Sequence, residues 1–154
     1  MRSRVLDANV LVLLIVGFVD RRSIATYRRI KEFTEVDFDL LIEAIDKFDQ
    51  LVVTTSVLTE ASNLLGYAHQ PLKQQLLTKL GGFVGTVHEE RPESAVVVEE
   101  RVLIRLGLTD AGLLTCVRQG HYLLTMDLSL YLAAIEISDK VVNFNHLRQG
   151  ALLA

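Results

Sequence analysis

Four carboxylates in this chain stand where acids are poor solubilising groups. Asp7 follows the short apolar stretch Arg4–Leu6, and Asp127 follows the apolar stretch Tyr122–Met126. Each therefore stands at the carboxyl end of an expected strand. Glu60 lies three residues after Val57 and four before Leu64, so it shares their face of an expected helix. Asp110 opens a further expected helix, with Leu113, Leu114 and Val117 on its side. A buried unpaired carboxylate is costly and needs a partner or a cation. Taken one at a time, Asp7, Asp110 and Asp127 are also good helix N-caps, and Glu60 can lie at the edge of its stripe with its head in water. Taken together, all four can point to one edge of one sheet. At about 4 Å and an effective dielectric of ~20, each like-charge pair costs about 4 kcal/mol before screening. A divalent cation removes that cost. Hard oxygen ligands suit Mg²⁺ or Mn²⁺, which keep waters and accept phosphate oxygens. Such a site can activate a water and stabilise the leaving oxygen in phosphodiester cleavage.

The elements that must position these acids alternate along the chain. The apolar run Val10–Val19 is longer than a usual buried strand and reads as a helix, with Asn9 as its N-cap. Residues 24–33 are expected to form a second helix. Asp37–Asp49 is the clearest one, with Phe38, Leu41, Ile42, Ile45 and Phe48 on one stripe. Leu51–Thr54 is a β-branched strand. Ser56 then caps a helix to Ala68, and Pro71 opens another that ends at Gly81-Gly82. Phe83–Val87 reads as a strand, 93–106 as a helix closed by Gly107, and Asp110–Gln119 as a helix closed by Gly120. Tyr122–Met126 is a strand, Leu128–Ile137 a helix and Lys140–Phe144 a last strand. Strands apolar on both faces, alternating with helices, predict a parallel sheet of four to five strands covered by helices on both sides. Ligands in such folds bind outside the carboxyl ends of the strands.

Composition agrees with one globular domain over 1–154. Half of the 154 residues are hydrophobic and 23% are charged. Two prolines and nine glycines argue against a turn-rich β-sandwich. The single cysteine, Cys116, rules out an internal disulfide framework and a thiolate zinc cluster, and fits a reducing, cytoplasmic setting. The ten-residue run Val10–Val19 is about half of a membrane span, and no cleavage site follows it, so neither a targeting segment nor a membrane partner is expected. Net charge is −3, unlike a generic nucleic-acid coat. Local patches differ from this average. Residues 21–31 hold five basic side chains and no acid, whereas 32–50 hold seven acids and one base.

At the four acids the sequence resembles the PIN domain family. The matching segments are Val5-Leu6-Asp7-Ala8-Asn9-Val10-Leu11, Ser56-Val57-Leu58-Thr59-Glu60-Ala61, Leu106-Gly107-Leu108-Thr109-Asp110-Ala111 and Leu123-Leu124-Thr125-Met126-Asp127. Their order and context match from Val5 to about Phe144. The resemblance implies a three-layer α/β/α sandwich and a metal-dependent ribonuclease. Asp7, Glu60, Asp110 and Asp127 would be its acidic Mg²⁺ or Mn²⁺ quartet. Asn9 and Thr125 match polar positions that line the family's site; otherwise they are a helix cap and a strand-end hydroxyl. Many small members are toxins paired with an antitoxin protein, often homodimeric. The 53 positions from Asp7 to Glu60 exceed those of compact toxin members.

Arg21, Arg22, Arg28 and Arg29 could contact RNA phosphates, since pairs seven apart share a helix face, or they could pair with the acids of 32–50. His69, His88, His121 and His146 show no metal-ligand spacing, and Cys116 reads as a small buried hydrophobe. A haloacid-dehalogenase-type phosphatase needs an acid two residues after Asp7, where Asn9 stands. A receiver domain needs an Asp ending its third strand, and none is there. A PIN-like RNA-binding or protein-interaction module without catalysis remains the alternative function.

Overall fold

A computed structural model describes residues 1–153. The elements run β1 (Ser3–Leu6), α1 (Ala8–Val19), a 3₁₀ turn (Arg21–Ser23), α2 (Glu35–Asp46), β2 (Gln50–Thr54), α3 (Thr55–Leu65), α4 (Leu72–Val84) and β3 (His88–Glu90). They continue with α5 (Ser94–Val97), α6 (Leu103–Leu106), α7 (Leu108–Arg118), β4 (Tyr122–Thr125), α8 (Leu128–Ile135), β5 (Val141–Asn143) and α9 (Phe144–Leu153). The five strands form one sheet in the order β3-β2-β1-β4-β5, and every neighbouring pair is parallel. Parallel strands need crossovers, and helices supply them, so the sheet is the middle layer of an α/β/α sandwich. The chain leaves β1 toward β2 and β3 on one side, and returns to β4 and β5 on the other. That reversal opens a crevice at the carboxyl ends of β1 and β4.

The core explains the long apolar run. Nine of the twelve residues of α1 are buried. A helix apolar all round must be covered all round, and α2, α3 and α4 pack on α1 from outside. At Gly17 the approach of α2 is so close that a Cβ would collide with the Phe38 ring. Among the described residues no helix is long and apolar enough to cross a membrane.

Several elements differ from expectation, each for a local reason. Residues 24–33 are not an α-helix but successive turns. Ile24, Ile30 and Phe33 are buried and Tyr27 is half-buried, a spacing of three. The backbone follows it with i→i−3 bonds at Ile24, Ile30 and Phe33. Phe83 stays in α4, which runs through Gly81-Gly82. The edge strand is the polar His88–Glu90 instead, paired on one side only. The helix expected over 93–106 is two single turns, because only Val97 of that stretch is buried and no apolar stripe forms. The last strand stops at Asn143, and Phe144 begins α9.

Candidate functional site

The register of the sheet sets the centre of the site. Leu6 pairs with Leu124, and the Asp7 N–H donates to the Leu124 carbonyl at 3.1 Å, so Asp7 leaves β1 beside Thr125 at the end of β4. Asp7 is buried, with 7% of its surface exposed. Its Oδ1 accepts the Ala8 N–H at 2.7 Å, and its Oδ2 accepts the Thr125 hydroxyl at 2.6 Å. Asp7 rather than Asn9 is therefore the cap of α1. Asn9 lies inside the first turn, with its Oδ1 buried and without a hydrogen-bond partner. The fully buried Thr125 Oγ1 also accepts the Asp127 N–H at 3.0 Å. One hydroxyl thus ties two of the acids together. Asp127 is exposed and caps α8 by accepting the Leu130 N–H at 3.1 Å.

The other two acids arrive on α3 and α7. Thr54, not Ser56, caps α3: its Oγ1 accepts the Val57 N–H at 3.1 Å. Glu60 is exposed, not buried among Val57 and Leu64; the carboxylate sits at the rim of their stripe, with Val57, Ala61 and Leu64 inward. Asp110 does not cap its helix. Gly107, at φ +89°, turns the chain so that α7 begins at Leu108, and Asp110 falls in the first turn with no side-chain cap bond there. Capping therefore accounts for Asp7 and Asp127 and leaves Asp110 unexplained.

The electrostatics bind the four into one group. Burial, then the charges of Asp7, Asp127 and Glu60, push the Asp110 carboxyl up to about 7. Burial also raises Asp7. The Thr125 and Ala8 donors oppose that rise, and the charges of Asp127 and Glu60 add to it. Among the described residues no cationic side chain acts on either group. A trough of about 370 Å³ beside Glu60 is lined by Thr55, Ser56, Thr59, Asn63 and Thr109. Thr55, Ser56 and Thr59 stand together in the sequence, but only the meeting of α3 with α7 adds Thr109 to the same wall. A concavity of about 880 Å³ lies away from this chemistry, between Val96, Arg105 and Glu136, and holds none of the four acids.

The remaining candidates lie elsewhere. Arg21 and Arg22 stand at the far end of α1, about 18 Å from Asp7 at ~1.5 Å per residue. Arg21 pairs with Glu35 at 3.4 Å and Asp39 at 2.8 Å. Arg22, Arg28 and Arg29 are exposed and, without the expected helix, share no helical face. His88 and His121 both approach Glu90 Oε1, at 3.1 and 3.3 Å. Cys116 is buried, which pushes its thiol up to about 12. Among the described residues no three His, Cys, Asp or Glu side chains stand ready around a common metal position. No protein-family model and no curated protein matches the chain.

Proposed function

We propose that this protein is a metal-dependent ribonuclease of the PIN type, hydrolysing RNA phosphodiester bonds at the carboxyl edge of its sheet. The observation that carries the reading is Asp110: a half-buried carboxyl pushed up to about 7 by burial first and then by the charges of Asp7, Asp127 and Glu60, with no cationic side chain among the described residues to oppose them. Four hard oxygen donors in mutual repulsion suit a divalent cation. Mg²⁺ fits without a closed protein cage, since it binds through one or two carboxylates and keeps several waters. Asp7, Glu60, Asp110 and Asp127 would hold Mg²⁺ or Mn²⁺. Bound there, the ion would supply charge neutralisation at the phosphate and an acidified water.

The residues of the chain have distinct parts in this reading. Thr125 fixes one oxygen of Asp7 and the backbone of Asp127, so two acids keep their spacing without each other's help. Asp7 is locked through both oxygens. Exposed Glu60 and Asp127 would meet a phosphate only through the cation they hold. Beside Glu60 the Thr55 hydroxyl already donates to Glu89 and the Thr59 hydroxyl to the Thr55 carbonyl, so Ser56 and Thr109 are the hydroxyls left to donate to a ribose-phosphate chain. A toxin role, an antitoxin partner and a homodimer rest on the family resemblance alone, and a cytoplasmic setting on the single cysteine.

Cleavage of single-stranded RNA with Mg²⁺ or Mn²⁺ tests the proposal. Activity should vanish in EDTA, and Asp7→Asn should cut the rate by about 100-fold or more while keeping the α1 cap. Thermal melts report the site independently: Mg²⁺ at about 100 times its Kd should stabilise the wild type by about 2.7 kcal/mol and Asp7→Asn by less. Wild-type cleavage by the variant would overturn the site assignment, and equal magnesium shifts with no cleavage by either protein would leave a PIN-like module without this chemistry.

A further inference from the structure

The opposite end of β1 carries a second anomaly. Arg4 sits in a buried strand and is only 5% exposed. Its Nε and Nη1 are shut off from solvent and have no hydrogen-bond partner among the described residues. The guanidinium instead lies over the Phe48 ring, with Cζ 3.8 Å from the centroid. Arg2, just before the strand, places its Cζ 4.6 Å from Phe48 and 5.3 Å from Tyr122. Lys140 brings its Nζ to 5.2 Å from Tyr122. The two rings meet edge to face at 5.1 Å, and Tyr122 is the register partner of Arg4. Three cations thus surround two aromatic rings.

Nothing acidic compensates them. None of the three side chains forms a salt bridge among the described residues. Asp49 lies near, but its Oδ2 accepts the Arg2 backbone N–H at 2.7 Å. Burial first, then the charge of Arg2, holds the Arg4 guanidinium down to about 10, with Tyr122 acting the other way and no carboxylate contributing. Arg4 is still charged at neutral pH. Buried polar atoms without partners are rare in folded proteins, and each one needs a physical explanation. A cation–π contact satisfies the charge of a guanidinium in part, but leaves its in-plane N–H groups unpaired.

We propose that Arg2, Arg4 and Lys140 form a subsite for a compact oxyanion of the phosphate class at the amino edge of the sheet, walled by Phe48 and Tyr122. A guanidinium offers planar paired donors that match a phosphate face. Three cations suit a ligand with more than one negative charge. Exposed Arg2 is the outer group. Arg4 is the inner donor. The subsite lies at the edge opposite Asp7 and does not depend on ribonuclease chemistry.

Thermal melts of the full chain in EDTA, with sodium phosphate against sodium chloride of matched ionic strength, test the inference. Phosphate should raise the melting temperature of the wild type in a saturable way, beyond chloride. Arg4→Met keeps an apolar stem over Phe48 and removes the charge. This variant should gain no more from phosphate than from chloride, and should melt no lower than wild type in chloride. Phosphate also strengthens burial generally, and that effect would raise both proteins alike. Equal gains in wild type and Arg4→Met, or no gain beyond chloride in wild type, would overturn the proposal. Arg2→Gln, at an exposed position, gives a second readout should Arg4→Met not fold: it should lose part of the phosphate gain, and an undiminished gain would overturn the proposal. In the same buffer, a short 5′-phosphorylated oligoribonucleotide that competes with inorganic phosphate identifies a nucleic-acid end as the source. Failure to compete identifies the free anion.

Discussion

The two ends of β1 hold buried charges of opposite sign, and they accommodate them differently. Asp7, at the carboxyl end, receives an N–H from α1 and a hydroxyl from β4. Arg4, three residues earlier, receives no hydrogen-bond acceptor at Nε or Nη1 and rests on an aromatic ring. The parallel fold accounts for the first. Crossovers bring helix N-termini to the carboxyl edge of the sheet, and with them free N–H groups and the positive ends of helix dipoles. Acids gathered there find donors already in place. The same crossovers bring helix C-termini, with free carbonyls, to the amino edge, yet among the described residues none of these acceptors meets Arg4 Nε or Nη1. An excess of like charge marks both edges, but only the acidic edge is organised by backbone and hydroxyl bonds before any ligand binds.

Removing the organising hydroxyl should have the largest effect. Thr125→Val keeps shape and burial but strips a donor from Asp7 and an acceptor from the Asp127 N–H. A hydrogen bond to a charged group is worth about 1.5–3 kcal/mol, and loss on that scale is expected in denaturant unfolding. The Thr125 donor also holds Asp7 down against burial, so its removal raises Asp7 further. The deficit should therefore be larger at neutral than at acidic pH. A deficit independent of pH would mean that the hydroxyl supports packing rather than the carboxylate.

An effect of comparable size should come from Asp110, and its sign is set by linkage. The folded state lifts this carboxyl from its ordinary value of 3.8 to about 7. Its contribution to stability is present below the ordinary aspartate value and is lost as pH rises through the window from about 4 to 7, where the folded protein holds a proton that the unfolded chain has released. Melting temperature in EDTA should fall across that window in wild type and fall less in Asp110→Asn. Magnesium should flatten the wild-type curve, since an ion replaces the proton as the source of relief. Parallel curves for the two proteins would separate Asp110 from the other acids.

The smallest effect should come from the arginine segment. Arg21 is already neutralised by Glu35 and Asp39, so Arg21→Ala should leave RNA affinity nearly unchanged. The triple change of Arg22, Arg28 and Arg29 to Ala should weaken RNA binding modestly and flatten its salt dependence. An unchanged slope of log K against log[salt] would make this segment a solvated flank, and would leave the acidic edge as the whole RNA-binding surface.

Local pattern was enough for much of the architecture. The alternation of apolar strands with amphipathic helices was readable because periodicity is a property of the chain itself. Elements were misjudged where tertiary contact decides. Residues 24–33 read as a helix, whereas the three-residue spacing of Ile24, Tyr27, Ile30 and Phe33 follows successive turns. His88–Glu90 was hidden because an edge strand needs no apolar run. Phe83 and Val84 looked like a strand because a helix carrying two glycines looked finished. At the site, Asp7 and Asp127 were legible as strand-end acids. Glu60 was legible as an acid but not in its burial, since a stripe on a helix does not say how wide its cover is.

By itself the sequence determined the class of fold, the four acids and their order along the chain, since apolar periodicity and turn chemistry act over a few residues. Which acids lie in reach of one another depended on register and strand order. The pairing of Leu6 with Leu124 puts the Thr125 hydroxyl on Asp7 across 118 positions of chain, and the turn at Gly107 converts Asp110 from a cap into an unneutralised charge. The burial of Arg4 was decided in the same way, by the ring of Phe48 folding over it. Charge coupling and desolvation fall off over a few ångströms of space, not over positions in a chain, and only the folded structure sets those distances.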